Sequence, residues 1–349
     1  MSAGVNIASK ETQREAERLF KILGGLTDFK KGTKYDMAFC LSAASITLEI
    51  NRLKKQKNAV ILAHYYSAPD IVYAVADYRG DSYALSKTAA KVMENIIIFS
   101  GVYFMAETAK IINPRKRVFL PAVFAGCSLA DSISAAQVKE LRVKYPLADF
   151  ICYINSTAEV KAECDVCVTS ANVYDIVAGS KAKQIVFLPD VFMADNIRVE
   201  MLKRGIDKEI FSFGGTCCVH DKYAAQDVNA IRSKYPQAKV VCHPECALPV
   251  CQLCDYVGST GGMLKYVRES SARQFAVLSE DGIINCMEYE NPSKQFPRVS
   301  RTCAQMKRNN LHNILAALRN LPHEAEVKVE DAAAKGAKKA IDKMFERGA

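Results

Sequence analysis

The sequence predicts an α/β protein: three successive βαβ units with short parallel sheets, related by a pseudo-threefold repeat and meeting around one central site. Three observations carry this expectation. There is an internal period of about ninety residues, apolar strands alternate with helical patterns, and polar residues sit two apart at equivalent strand ends.

The repeat shows first in three stretches. KKQKNAVILAHYY starts at Lys54, VKYPLADFICYIN at Val143 and SKYPQAKVVCHPE at Ser233. Each joins the basic end of an amphipathic helix to a short apolar strand. Each strand ends on a polar pair: His64 and Tyr66, Tyr153 and Asn155, His243 and Glu245. Residues i and i+2 of a strand point to the same side, so each pair faces one way. Asp77, Asp165 and Asp255 follow, each with a hydroxyl residue five positions later: Ser82, Ser170 and Thr260. A second apolar strand recurs as NIIIFSG, KQIVFLPD and RQFAVLSE, carrying Phe99, Phe187 and Phe275. Each unit then delivers a cysteine, in AGCS (Cys127), GGTCC (Cys217) and SRTC (Cys303). These markers set the units at residues 45–134, 135–222 and 223–321. Residues 1–44 form a helical extension with Ala16, Leu19, Phe20 and Leu23 at helical spacing, and residues 322–349 a Lys- and Ala-rich helix packing on the core. Ligands of open α/β sheets bind beyond the carboxyl ends of the strands, so the three polar pairs should line one cleft.

Composition narrows the chemistry. The chain has 349 residues, 50% of them apolar, and no stretch reaches the ~20 apolar residues of a membrane span. A soluble, cytoplasmic protein is expected. The net charge of +9 comes from basic residues interleaved with acidic ones, as in Lys139, Glu140, Arg142 and Lys144. That reads as solvated helix ends rather than a nucleic-acid surface. Thirteen cysteines in a cytosolic chain should be reduced thiols, either core residues or metal ligands.

One cysteine per repeat, on loops converging at one cleft, makes a three-thiolate site of the kind that holds an iron–sulfur cluster. Three ligands on a cubane leave one iron open as a Lewis acid. Pattern alone leaves Cys217 and Cys218 as alternatives. The pairs Cys164/Cys167 and Cys251/Cys254 are C-x-x-C half-sites of the zinc-ribbon type, but they are far apart and the first unit has no counterpart, which favours buried thiols. Ser82, Ser170 and Thr260 stand between a strand and a helical pattern, where free N–H groups attract phosphate or carboxylate; as single residues they also read as helix caps. His243 beside Glu245 is a candidate acid/base group.

Taken together, these segments resemble the quinolinate synthase family. The matching motifs are AHYY at His64, GDSYALS around Ser82, GVYFMAETAKIINP at Gly101, AGCSLAD around Cys127, YINST at Tyr153, TSAN around Ser170, GTCCVH around Cys217, HPEC at His243, GSTGGM around Ser259 and CAQMKRNNL at Cys303. They span about residues 45–345. The resemblance implies three α/β/α domains around a central active site. It implies condensation of iminoaspartate with dihydroxyacetone phosphate to quinolinate in NAD biosynthesis, with a functional link to an aspartate-oxidising enzyme. It further implies a [4Fe-4S] cluster on Cys127, Cys217 and Cys303, with Cys217 preferred over Cys218 because it lies three before the motif's histidine. Tyr66, Glu245 and His64 would be catalytic. His64, Ser82, Tyr153, Asn155, Ser170, His243, Glu245, Ser259 and Thr260 would contact substrate. Ser67 replaces the family's usual glutamine, and Phe213 stands where tryptophan is common. Two alternatives remain at this stage: another [4Fe-4S] hydro-lyase acting on a dicarboxylate, and a zinc-dependent nucleic-acid-binding protein.

Overall fold

A computed structural model describes residues 9–28 and 32–347, so residues 1–8 and 29–31 of the expected extension lie outside it. Its core is three parallel sheets with helices on their faces. The first places its strands in the order Tyr78–Gly80, Ala59–His64, Ile96–Ser100, Arg117–Phe119. The second repeats that order as Val166–Val168, Asp149–Tyr153, Gln184–Leu188, Glu209–Ser212. The third keeps Tyr256–Val257, Lys239–Cys242 and Phe275–Leu278, but its fourth position is reduced to a single parallel bridge, Gln274 to Gln295. Ala59–His64 and Ile96–Ser100 are buried along their whole lengths. This is why they read as continuous apolar runs rather than alternating ones.

The repeated aspartates are structural staples. Asp77, Asp165 and Asp255 each accept, at 2.8 Å, the backbone N–H of a residue near the start of the first strand: Ile61, Phe150 and Val240. Each aspartate N–H returns a bond to the same residue's carbonyl, at 2.9, 2.8 and 2.7 Å. Each also pairs with a cation from the preceding helix: Lys54, Arg142 or Arg232. The shared KYP motif ends two helices, Ala135–Lys144 and Ala225–Lys234. Tyr145 and Tyr235 adopt ψ of 64° and 68°, because the following proline disfavours a helical conformation.

The extension is anchored, not loose. Helix Lys10–Leu23 buries Ala16, Leu19 and Leu23 against the 21-residue helix Met37–Lys57. Phe20, expected on the same face, is instead 42% exposed, with its ring folded over Gly24. The long helix buries Ala43, Ala44 and Ile50 and so runs across the boundary expected at residue 44. At the other end, helix Leu311–Asn320 packs on that same helix, whereas Asp331–Arg347 packs on the second unit's helix Ala158–Ala162. Gly336 permits the second contact, since a Cβ there would lie 2.7 Å from that of Ala162. Among the described residues, no helix is long and apolar enough to cross a membrane.

Candidate active site

The three sheets point their carboxyl ends into one cavity, with about 790 Å³ of space between its walls, open mouth included. Every residue expected at the site lines it except Ser259.

The first-strand loops supply the titratable groups. His64 and His243 end their strands in the same local turn. Nδ1 of His64 accepts the N–H of Tyr66 at 3.1 Å, and Nδ1 of His243 that of Glu245 at 3.3 Å. With Nδ1 accepting, the ring proton of each sits on Nε2, and in His243 this nitrogen lies 3.1 Å from Ser170 Oγ. Burial pushes the two imidazoles down, to about 3 for His64 and about 4 for His243. Both are therefore neutral hydrogen-bond donors near neutral pH. Glu245 is gripped from two sides: Tyr153 Oη donates to Oε1 at 2.6 Å and His220 Nδ1 to Oε2 at 2.8 Å, with Asn155 Nδ2 3.4 Å from Oε1. Burial opposes its charge, but His243, His220 and these donors hold its carboxyl well below the usual carboxylate range. Tyr66 is the opposite case. Burial and the nearby Glu245 charge push its phenol well up, and its Oη lies 3.1 Å from Thr260 Oγ1 and 3.0 Å from Ser279 Oγ. Ser67, in the glutamine position, bonds to Ser100 away from the cavity.

Hydroxyl groups at or near helix starts adjoin these side chains. Ser82 begins helix Ser82–Ala89 and Thr260 begins Thr260–Glu269, while Ser170 precedes Val173–Gly179 by three residues. Ser259 stands behind Thr260 as the cap of its helix, accepting the N–H of Gly262 at 3.0 Å. Its side chain is spent on the helix terminus.

The cysteines occupy one turn built three times. After each third strand, the first helical N–H donates to the carbonyl two residues before a cysteine: Tyr103 to Ala125 at 2.8 Å, Val191 to Gly215 at 3.0 Å, Asp281 to Arg301 at 2.9 Å. The carbonyls of Cys127, Cys217 and Cys303 then accept from the residue four ahead, at 3.0, 2.9 and 3.1 Å. Each thiol faces the N–H groups two and three residues on: Leu129 and Ala130, Val219 and His220, Gln305 and Met306. Cys217, not the exposed Cys218, holds the repeated position. Burial pushes the thiols up, to about 12 for Cys127 and about 11 for Cys303, with Cys217 also well raised. Three such thiols ionise together in a dry cavity only when a cation compensates them, and soft sulfur donors suit a transition metal or cluster. Cys217, His220 and Glu245 also form a compact potential ligand group, with their donor atoms within 4.8 Å of one another.

His220 and Ser279 were missed by the strand-end pattern. His220 lies in a cysteine turn, its Nε2 3.1 Å from Ser279 Oγ, and its only signal in the sequence is the GTCCVH motif. The C-x-x-C pairs lie in different units, the first at the start of strand Val166–Val168 and the second at the end of helix Leu248–Leu253. Cys167 meets Cys152 across neighbouring strands with sulfurs 3.3 Å apart, and Cys251 packs beside Cys242 at 3.7 Å. All thirteen cysteines are unpaired thiols.

The sequence model of the Quinolinate synthetase A protein family matches residues 48–346. The chain belongs to the quinolinate synthase family. It is 41% identical over 300 residues to the quinolinate synthase of Alkaliphilus metalliredigens, covering 85% of this chain and 97% of that protein. It is 41% identical over 288 residues to that of Clostridioides difficile (82% and 92%), and 42% over 305 residues to that of Aquifex aeolicus (85% and 92%). As a quinolinate synthase family member the chain is an enzyme, membership implies a place in NAD biosynthesis, and its cysteine turns are suited to a metal or cluster.

Proposed function

We propose that this enzyme condenses iminoaspartate, supplied by an aspartate-oxidising enzyme, with dihydroxyacetone phosphate to give quinolinate, phosphate and water. The observation that carries this reading is the cysteine turn repeated in all three units, each opening on one cavity. Cys127, Cys217 and Cys303 would hold a [4Fe-4S] cluster, which supplies a Lewis acid for loss of hydroxyl groups from substrate. Ser82, Ser170 and Thr260 bind the phosphate and carboxylates, helped by helix N-termini. His64 and His243 donate Nε2–H to substrate oxygens, and Tyr153 and Asn155 orient Glu245 and the imine end. Glu245, ionised and fixed by two strong donors, is the base that removes a proton during isomerisation and ring closure. Tyr66, whose phenol stays protonated, returns one. Thirteen free thiols fit a reducing cytoplasm.

Anaerobic assay of quinolinate formation from the two substrates tests the reading. Glu245→Gln and Tyr66→Phe are each expected to lose at least ~100-fold in turnover, the usual scale of acid–base contributions. Full turnover in both variants would refute it.

A further inference from the structure

The threefold frame makes its own exceptions visible, and one buried pair departs from it in chemistry. Glu280 caps the helix after the third unit's third strand, the position held by Val102 and Asp190 in the other two. Lys307 lies four residues after Cys303; the matching residues after Cys127 and Cys217 are Asp131 and Asp221. The third unit alone places an anion at the first position and a cation at the second. Lys307 Nζ sits 2.8 Å from Glu280 Oε1, with side chains 6% and 0% exposed. Asp190, the counterpart of Glu280, leaves its Oδ2 without a hydrogen-bond partner.

Each end of this pair holds a loop of the site. Lys307 Nζ donates to the carbonyl of Tyr66 at 2.7 Å, across 241 residues of sequence. Glu280 Oε1 accepts the N–H of Cys303 at 3.0 Å, and Oε2 that of Gly282 at 2.7 Å. We propose that Glu280 and Lys307 are positioning residues: one dry ion pair sets the Tyr66 loop and the Cys303 turn at a fixed distance from each other. The idea rests on the roles given above to Tyr66 and Cys303. A pair kept only for stability would be replaceable, because apolar residues often substitute for a buried ion pair at little cost. Here Lys307 donates to the backbone of the Tyr66 loop and Glu280 Oε1 accepts from that of the Cys303 turn, while Glu280 Oε2 caps its own helix and so fixes the carboxylate in place. A bare Tyr66 carbonyl and an undirected Cys303 N–H would let the loops drift by a fraction of an ångström, enough to impair proton transfer.

The test uses Lys307→Met, Glu280→Gln, the double variant and Lys307→Arg. One readout is the alkylation rate of each thiol in the full chain before metal loading, followed peptide by peptide by mass spectrometry. The other is kcat and KM of the loaded enzyme. Both single variants should alkylate Cys303 about tenfold faster with Cys127 and Cys217 within about twofold, and should lose about tenfold in kcat at nearly unchanged KM. Lys307→Arg, which keeps the cation, should recover most of both. Should a single variant fail to fold, the double variant, free of an unpaired charge, is read by the same criteria. Parental Cys303 reactivity in the variants, or equal acceleration of all three thiols, would overturn the proposal. A parent chain that makes no quinolinate would defeat the proposed reaction, yet the thiol rates would still decide the role of the pair.

Discussion

Removing a single oxygen, in Tyr153→Phe, isolates what keeps Glu245 ionised. Tyr153 Oη donates to Glu245 Oε1 at 2.6 Å, and both side chains are buried. A hydrogen bond to a charged group contributes about 1.5–3 kcal/mol, and 1.36 kcal/mol corresponds to one pH unit, so its loss should move the protonation midpoint of the carboxyl up by about 1–2 units. The sign follows from the folded state holding Glu245 below its unfolded value. The stability this provides is present above the unfolded carboxylate pKa and is lost as pH falls, and the variant brings that loss to higher pH. If the carboxylate is the base, the acid limb of kcat/KM against pH should rise by the same interval. Because that stability is in force at neutral pH, the variant should also lose about 1.5–3 kcal/mol there, read as a lowered melting temperature. An unmoved acid limb in a folded, cluster-loaded variant would refute the assignment of Glu245 as the base.

The three aspartate staples should be energetically alike. Asp77→Ala, Asp165→Ala and Asp255→Ala each strand one backbone N–H and should each cost about 1–3 kcal/mol in anaerobic denaturant unfolding; a cost confined to one would deny their equivalence. Gly282→Ala places a Cβ 2.4 Å from the carbonyl oxygen of Tyr65 and 2.6 Å from Cα of Tyr66. Turnover should fall at least about tenfold as the Tyr66 loop is displaced, and parental kcat would contradict that contact. Cys167→Ala and Cys251→Ala remove core sulfurs outside the cavity, so iron content per folded chain should stay at the parental value.

The parts of the fold visible in the sequence were those set by local periodicity. Apolar runs such as NIIIFS mark strands buried on both faces, and the in-step markers disclosed the repeated units, of which the first two share one strand order in full. The same spacing brought the strand-end pairs and the cysteine turns to one cavity. What escaped depended on contacts distant in sequence. No spacing shows that Asp165 bonds to Phe150 or that Glu280 reaches Lys307. His220 was overlooked because it lies in a cysteine turn rather than at a strand end. The third unit's fourth strand left no clear apolar run, and in the structure it is reduced to one bridge, Gln274 to Gln295.

One turn, repeated three times, is proposed to hold a cluster through Cys127, Cys217 and Cys303. The adjacent cysteines of the second turn offer the sharpest test: iron, acid-labile sulfide and the visible spectrum of anaerobically reconstituted Cys217→Ser and Cys218→Ser, beside the parent. About four irons and four sulfides per chain are expected in the parent and in Cys218→Ser, with both lost from Cys217→Ser. A Cys217→Ser chain that keeps its full iron and brown absorbance, or a parent that takes up only zinc, would contradict it.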